Sequence, residues 1–249
     1  MKTYLHLLLA AAVWSLAELA PAAEVPAQFD AANRLYADGK FADAAGAYEK
    51  ILQSGSVSPA LYFNYGNAEF KSGNLGLAIA AYHRAALLAP RDAEVRANLE
   101  FARNQVQGPT CHESRWTGWL GTLTLNEWTV LAATAFWLLF AALTAVQIRP
   151  ALKTALRGFT LGVVMLTLLS CAGLGLNAAS YFSRPTAVVT CTEATARSGP
   201  FDEAQSTFTA HDGAELAVLD RRDNWLQVTD GSGRIGWLLS KQVDVLPRS

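Results

Sequence analysis

The sequence predicts a multidomain membrane protein in three parts: an all-α helical repeat array, a two-helix transmembrane hairpin and a small all-β barrel. Three observations predict it. Residues recur at a spacing of 34 (Asn33 to Asn67) after about Val25, two long stretches after Trp128 carry no charge, and from Thr186 short β-rich runs alternate with turn residues.

Bulk properties agree with a mixed soluble and membrane chain. The 249 residues are 51% hydrophobic, more than one soluble domain needs, and the 20 basic and 21 acidic residues are spread unevenly. A formal net charge of −1 gives no field to draw the chain to nucleic acid, so nucleic-acid binding is excluded as an expectation. Residues 1–22 read as an export signal: Lys2, an apolar run from Leu7 to Ala17, and the small-residue pattern Ala20-Pro21-Ala22, with cleavage before Ala23. An uncleaved N-terminal anchor is the alternative. Either puts the repeat-bearing segment after Ala23 outside the cytoplasm.

Residues 25–107 form the repeat array. Phe29 pairs with Phe63, Ala32 with Gly66, Asn33 with Asn67, Gly39 with Gly73, Phe41 with Leu75, Ala44 with Ala78 and Tyr48 with Tyr82. Ala32 and Gly66 are small where two helices approach closely, and Gly39 and Gly73 can take the positive φ that ends a helix. Tyr48 and Tyr82 fill the wider gap between neighbouring helices, and Pro90 stops the last helix of the second repeat. These residues resemble the tetratricopeptide (TPR) family. Gly66-Asn67-Ala68, Gly73-Asn74, Ala78-Ile79, Ala85 and Pro90 stand where its pattern places them, whereas Ile51 and Gln53-Ser54-Gly55-Ser56 depart from it and predict a looser first repeat. A further helix, about Ala93 to Gln107, carries Val95, Leu99 and Ala102 on one face and reads as the cap a repeat array needs.

Residues 108–127 read as a linker in which Trp116, Trp119, Leu120 and Leu123 suit either the lipid headgroup zone or a packed loop. Residues 128–148 and 159–179 are uncharged and long enough to cross a bilayer as helices. Gly162, Ser170, Ala172, Gly173 and Gly175 are the small residues that let such helices pack. The loop 149–158 carries Arg149, Lys153 and Arg157 without an acid, which places it in the cytoplasm and both flanking domains outside.

Residues 185–247 read as a small closed or nearly closed barrel. Its runs are Thr186–Thr190, Glu215–Leu219, Trp225–Val228, Ile235–Leu238 and Val243–Val245, with turns at Asp212-Gly213 and Asp230-Gly231-Ser232-Gly233. Ala196-Arg197-Ser198-Gly199-Pro200, Asn224-Trp225-Leu226-Gln227-Val228 and Gly236-Trp237-Leu238 make the segment similar to bacterial SH3-like domains. The whole order resembles the BatE-type proteins of the Bacteroides aerotolerance group. That resemblance implies partners among von Willebrand A-domain membrane proteins, a cytoplasmic MoxR-type ATPase and a role in stress tolerance.

No catalytic constellation is legible. His6, His83, His112 and His211 are scattered, and no GxSxG, GxxxxGK[ST], HExxH or strand-borne GxGxxG occurs, so the chain reads as non-enzymatic, with no cofactor and no metal. Cys111 and Cys191 could join linker to barrel in an oxidising compartment, or stay free; Cys171 reads as an apolar residue of the second span. The binding candidates are Asn33, Tyr62, Asn67, Phe70 and Lys71 on the concave face of the array, with Arg96 on the cap. The alternative for the asparagines is bonding to neighbouring backbone. On the barrel, Trp225 and Trp237 could stack on a peptide or glycan or fill the core, and Phe201 and Phe208 belong to a polar run expected as an exposed loop. These features predict a protein-interaction scaffold among other envelope proteins. A module that binds peptidoglycan and recruits a wall enzyme is the rival.

Overall fold

Four helix-ending or helix-starting devices order the helices of the array. In the computed structural model, which describes residues 20–108, 123–181 and 184–246, α1 (Ala20–Ala37) and α2 (Phe41–Gln53) are separated at Gly39, with φ of 76°. Pro59 opens α3 (Pro59–Ser72) behind Ser58, whose hydroxyl accepts the Leu61 N–H at 3.1 Å. Gly73, at φ 88°, ends α3 and turns the chain into α4 (Leu75–Leu88). Asp92 then caps α5 (Ala93–Arg103) by accepting from the N–H groups of Glu94 and Val95. The signal-peptide segment before Ala20, and the linker residues Cys111, His112, Trp116, Trp119 and Leu120, lie outside the described residues.

Packing obeys the 34-residue repeat. Ala32, Ala44, Tyr48, Ala68, Ala78 and Tyr82 are all buried, and a Cβ added to Gly66 would lie 2.7 Å from the Tyr82 ring, so the glycine sets how closely α3 approaches α4. Ile51, the departure in the first repeat, is fully buried in the α1–α2–α3 cluster.

Two helices are long and apolar enough to cross a membrane: α6 (Leu125–Ile148, 24 residues) and α7 (Leu152–Tyr181, 30 residues). Thr124 and Glu127 form a capping box at the start of α6. Trp128, near the start of α6, packs on Gly173, near the end of α7, so the two run antiparallel. Of the small residues expected at their seam, Gly173 and Ser170 are buried, while Gly162, Ala172 and Gly175 face outward; α6 contributes Ala132, Ala135 and Ala142 instead. The connection is shorter than the loop expected over 149–158. Lys153 and Arg157 belong to the first turns of α7, since long basic side chains favour helix and can reach past its end.

Seven antiparallel strands complete the fold: β1 (Thr186–Val189), β2 (Glu193–Arg197), β3 (Ser206–His211), β4 (Glu215–Arg222), β5 (Trp225–Thr229), β6 (Ile235–Leu239) and β7 (Val243–Val245). Their order is β3-β2-β6-β5-β4-β1-β7, and the sheet is not closed. At the β7 edge Asp244 accepts from the two terminal guanidinium nitrogens of Arg84 on α4, so a helix, and not β3, meets that strand. Ala187, Ala196, Leu216, Leu226, Val228 and Leu238 form the sheet's core. A second cluster is shared: Val188 and Leu246 from the sheet pack with Ile79, Leu99 and Ala102 of the array.

Candidate functional site

The polar contacts between array and sheet begin at a helix end that lacks its own cap. Asn74 makes no side-chain cap to α4, because its amide is turned to Glu69 at 2.7 Å. Asp212, from the β3–β4 turn, takes over: its two carboxylate oxygens accept the N–H groups of Leu75 at 2.8 Å and Gly76 at 3.0 Å. Burial pushes the Asp212 carboxyl up, and the N–H groups of Gly76, Leu75 and Gly213 pull against it. The backbone must come very close for this. A Cβ on Gly76 would overlap the Val189 carbonyl oxygen at 1.9 Å, so glycine alone fits here.

Further along the seam, Arg84 forks onto Asp244 with two bonds of 2.7 Å, and Arg103 on α5 donates to Glu215 on β4 at 2.7 Å. The Glu215 side chain is only 2% exposed, and its Oε2 and the Arg103 Nε are buried without a partner. His83, next to Arg84, has an equally enclosed and unpartnered Nδ1. Burial, then Arg103 and Arg84, lower its pKa to about 4. Arg91, in the turn between α4 and α5, also bonds Glu127 of α6 at 2.7 Å, tying the array to the first apolar helix. Sequence reading misses this seam. Its faint signals are a glycine in the first turn of a helix, and single acids, Glu215 and Asp244, inside apolar β runs.

On the array, the asparagines build a ladder. Asn33 Oδ1 accepts from Tyr48 Oη at 2.6 Å and Asn64 Nδ2 at 3.0 Å, and one repeat on Asn67 Oδ1 accepts from Tyr82 Oη at 2.7 Å and Asn98 Nδ2 at 3.1 Å. Their partners are side chains, not neighbouring backbone, and none of these bonds uses the Nδ2 of Asn33 or Asn67. Burial raises the Tyr48 hydroxyl to about 12, so it remains a donor across the physiological range. Asn67, Phe70 and Lys71 fall on one side of α3; the Phe70 ring lies 5.6 Å from exposed Phe101, and Lys71 is exposed. The structure does not bring Tyr62 to them. It lies on the side of α3 near Arg84. Arg96 is exposed but stands two residues from Asn98, about 200° around α5.

On the sheet, alternation about buried Leu226 and Val228 puts Trp225 and Gln227 on the outer face, and the pairing of Gln227 with Trp237 puts Trp237 there too. Trp225 is half-buried; Trp237 is covered, with the Arg222 guanidinium 5.4 Å above its ring. Phe201 is exposed, its ring over Gly199. Phe208 is not on a loop. The polar run expected there forms β3, and Phe208 points inward into the sheet core with Arg234 5.0 Å above its ring. Cys191 is half-buried and its thiol lies 3.4 Å from the Glu193 carbonyl oxygen; Cys111 lies outside the described residues.

No protein-family model matches this chain, and no curated protein matches it. Among the described residues no group of three or more His, Cys, Asp or Glu is placed to hold a metal ion.

Proposed function

We propose that the chain is a membrane-anchored, non-enzymatic scaffold for protein–protein interaction in a bacterial envelope. Its helical array is read as TPR repeats, its sheet as an SH3-like domain, and both stand outside the cytoplasmic membrane. The observation that carries the reading is the seam of Asp212, Arg84–Asp244 and Arg103–Glu215. It holds two modules of different surface chemistry together at one end of an apolar helix pair, which is what a scaffold requires. Arg149, Lys153 and Arg157 at the other end support a cytoplasmic hinge. The ladder of Asn33 and Asn67 beside Phe70 and Lys71 offers amide donors, an aromatic ring and a cation to a peptide. The resemblance to the BatE-type group points to von Willebrand A-domain proteins as partners and to a stress-tolerance complex.

The outer tryptophan row supports a second reading, peptidoglycan binding, since half-buried Trp225 beside Gln227 is a surface on which a glycan can stack. Affinity purification of the whole protein in mild detergent separates the two. The scaffold predicts co-purifying membrane proteins that disappear in the Asn67→Ala, Lys71→Glu double variant, without sedimentation on purified sacculi. The rival predicts sedimentation on sacculi that Trp225→Ala abolishes.

A further inference from the structure

Half-buried His83 is the one described histidine with an enclosed, unpartnered ring nitrogen, and it feels the charge of both arginines, Arg84 and Arg103, that fasten the sheet to the array. It lies one helical turn beyond Ile79, whose side chain meets Gly213 of the β3–β4 turn, so it shares the face of α4 that the sheet covers. The ionisable groups of the seam are Tyr62, Tyr65 and Glu69 on α3, Arg84 on α4 itself, Arg103 on α5, Asp212 beside β3, Glu215 on β4 and Asp244 on β7; β1 has none, and the other charged residues of α3, α5 and β4, such as Lys71, Glu100 and Asp220, are exposed. The nearby acids are engaged. Asp244 gives both oxygens to Arg84, Asp212 gives both to the start of α4, and Glu215 gives Oε1 to Arg103.

We propose that His83 is an acid-sensitive latch, whose protonation drives the sheet off helices α4 and α5. Protonation adds a positive charge beside Arg84 and Arg103 and makes the enclosed Nδ1 an N–H donor, which gains an acceptor only if the seam opens and lets solvent in. The direction comes from proton binding. An exposed His83 takes its proton near 6.5, whereas the docked one does so only at about 4. Between those values the undocked state binds more protons, so docking is at full strength above pH 6.5 and weakens as pH falls. The docked-to-undocked ratio should fall by roughly a hundredfold or more over that window, at about tenfold per pH unit.

The test is a distance measurement by double electron–electron resonance on the whole chain in detergent. Spin labels replace exposed Glu94 and Glu203, the native cysteines are serines, and a second pair at Asp38 and Glu94 monitors the array alone. The expected result is one short distance at pH 7.5 and a longer population that grows between pH 6.5 and 4.5. The array pair should not change, and H83Q should keep the short distance throughout. G76L provides the undocked reference, and H83N replaces H83Q if that variant fails to dock at pH 7.5. Opening of wild type and neutral variant at the same pH would assign the effect to the carboxylates and overturn the proposal. A docked distance that persists or sharpens in acid would overturn it too, by showing that the imidazolium finds Glu215 Oε2.

Discussion

Arg103 and Glu215 show how a single side chain is committed by burial. Both charges have left water, and the carboxylate is almost wholly enclosed, so the pair is needed mainly because each member neutralises the other. Arg103→Ala should therefore destabilise the docked protein by about 3–5 kcal/mol, the cost of a buried charge left alone. Replacing both, with Arg103→Met and Glu215→Leu, should recover most of the loss. Equilibrium denaturation in detergent, followed by tryptophan fluorescence, measures both. Equal losses in the single and double variants would mean that the pair contributes through its own attraction. The residue scale is also where sequence reading reaches least far. Asn33, Asn67, Tyr48 and Tyr82 are legible because they recur at one repeat's spacing; Asn64 and Asn98 recur at it too, but that each donates to the asparagine 31 residues before it is seen only in the fold.

Elements are legible where one physical signal dominates. Glycines at positive φ, Ser58 ahead of Pro59, and an uncharged run of membrane length each fix an element locally. Strands β2 and β3 escape sequence reading because Glu193-Ala194-Thr195-Ala196-Arg197 turns only alanines inward, and Ser206–His211 only Phe208 and Ala210. Small inward residues suffice there because the core is filled from Leu216, Leu226 and Leu238 opposite. At the apolar helix pair, a Cβ at Gly173 would already stand 2.4 Å from Trp128, whereas at Gly175 it meets open space. Gly173→Leu should thus cost about 1–3 kcal/mol of helix–helix stability by overpacking, with Gly175→Leu close to neutral. Steric trapping of the hairpin in detergent measures this, and a matched loss in both variants would mean that Trp128 does not seat on Gly173.

For the whole molecule, the seam ties the array and the sheet to each other, and Arg91–Glu127 ties the array to α6. Modules that touch must share a compartment. With the orientation proposed above, protease added to intact spheroplasts should cleave in both the array and the sheet while sparing the Arg149–Arg157 hinge, which becomes accessible only on lysis. Cleavage of the hinge from outside would reverse the orientation. The sheet also finishes the array. Val188 and Leu246 cover Ile79, Leu99 and Ala102, apolar residues that a repeat array must shield at its last repeat. Helix α5, read as the cap, carries Asn98 in the ladder as α3 carries Asn64, and so behaves as another repeat helix that the sheet covers.

The sequence by itself determined the parts: the helix pairs with their turns, the two apolar helices, and five of the strands, because period, charge and turn chemistry act between residues close along the chain. Only the tertiary structure decided that the sheet stays open, that it docks on α4 and α5, and that Gly76, Asp212 and His83 matter. Those outcomes depend on groups more than a hundred residues apart meeting out of water, as Leu75 and Asp212 do, and desolvation assigns a value to such a meeting only once the partners are in place.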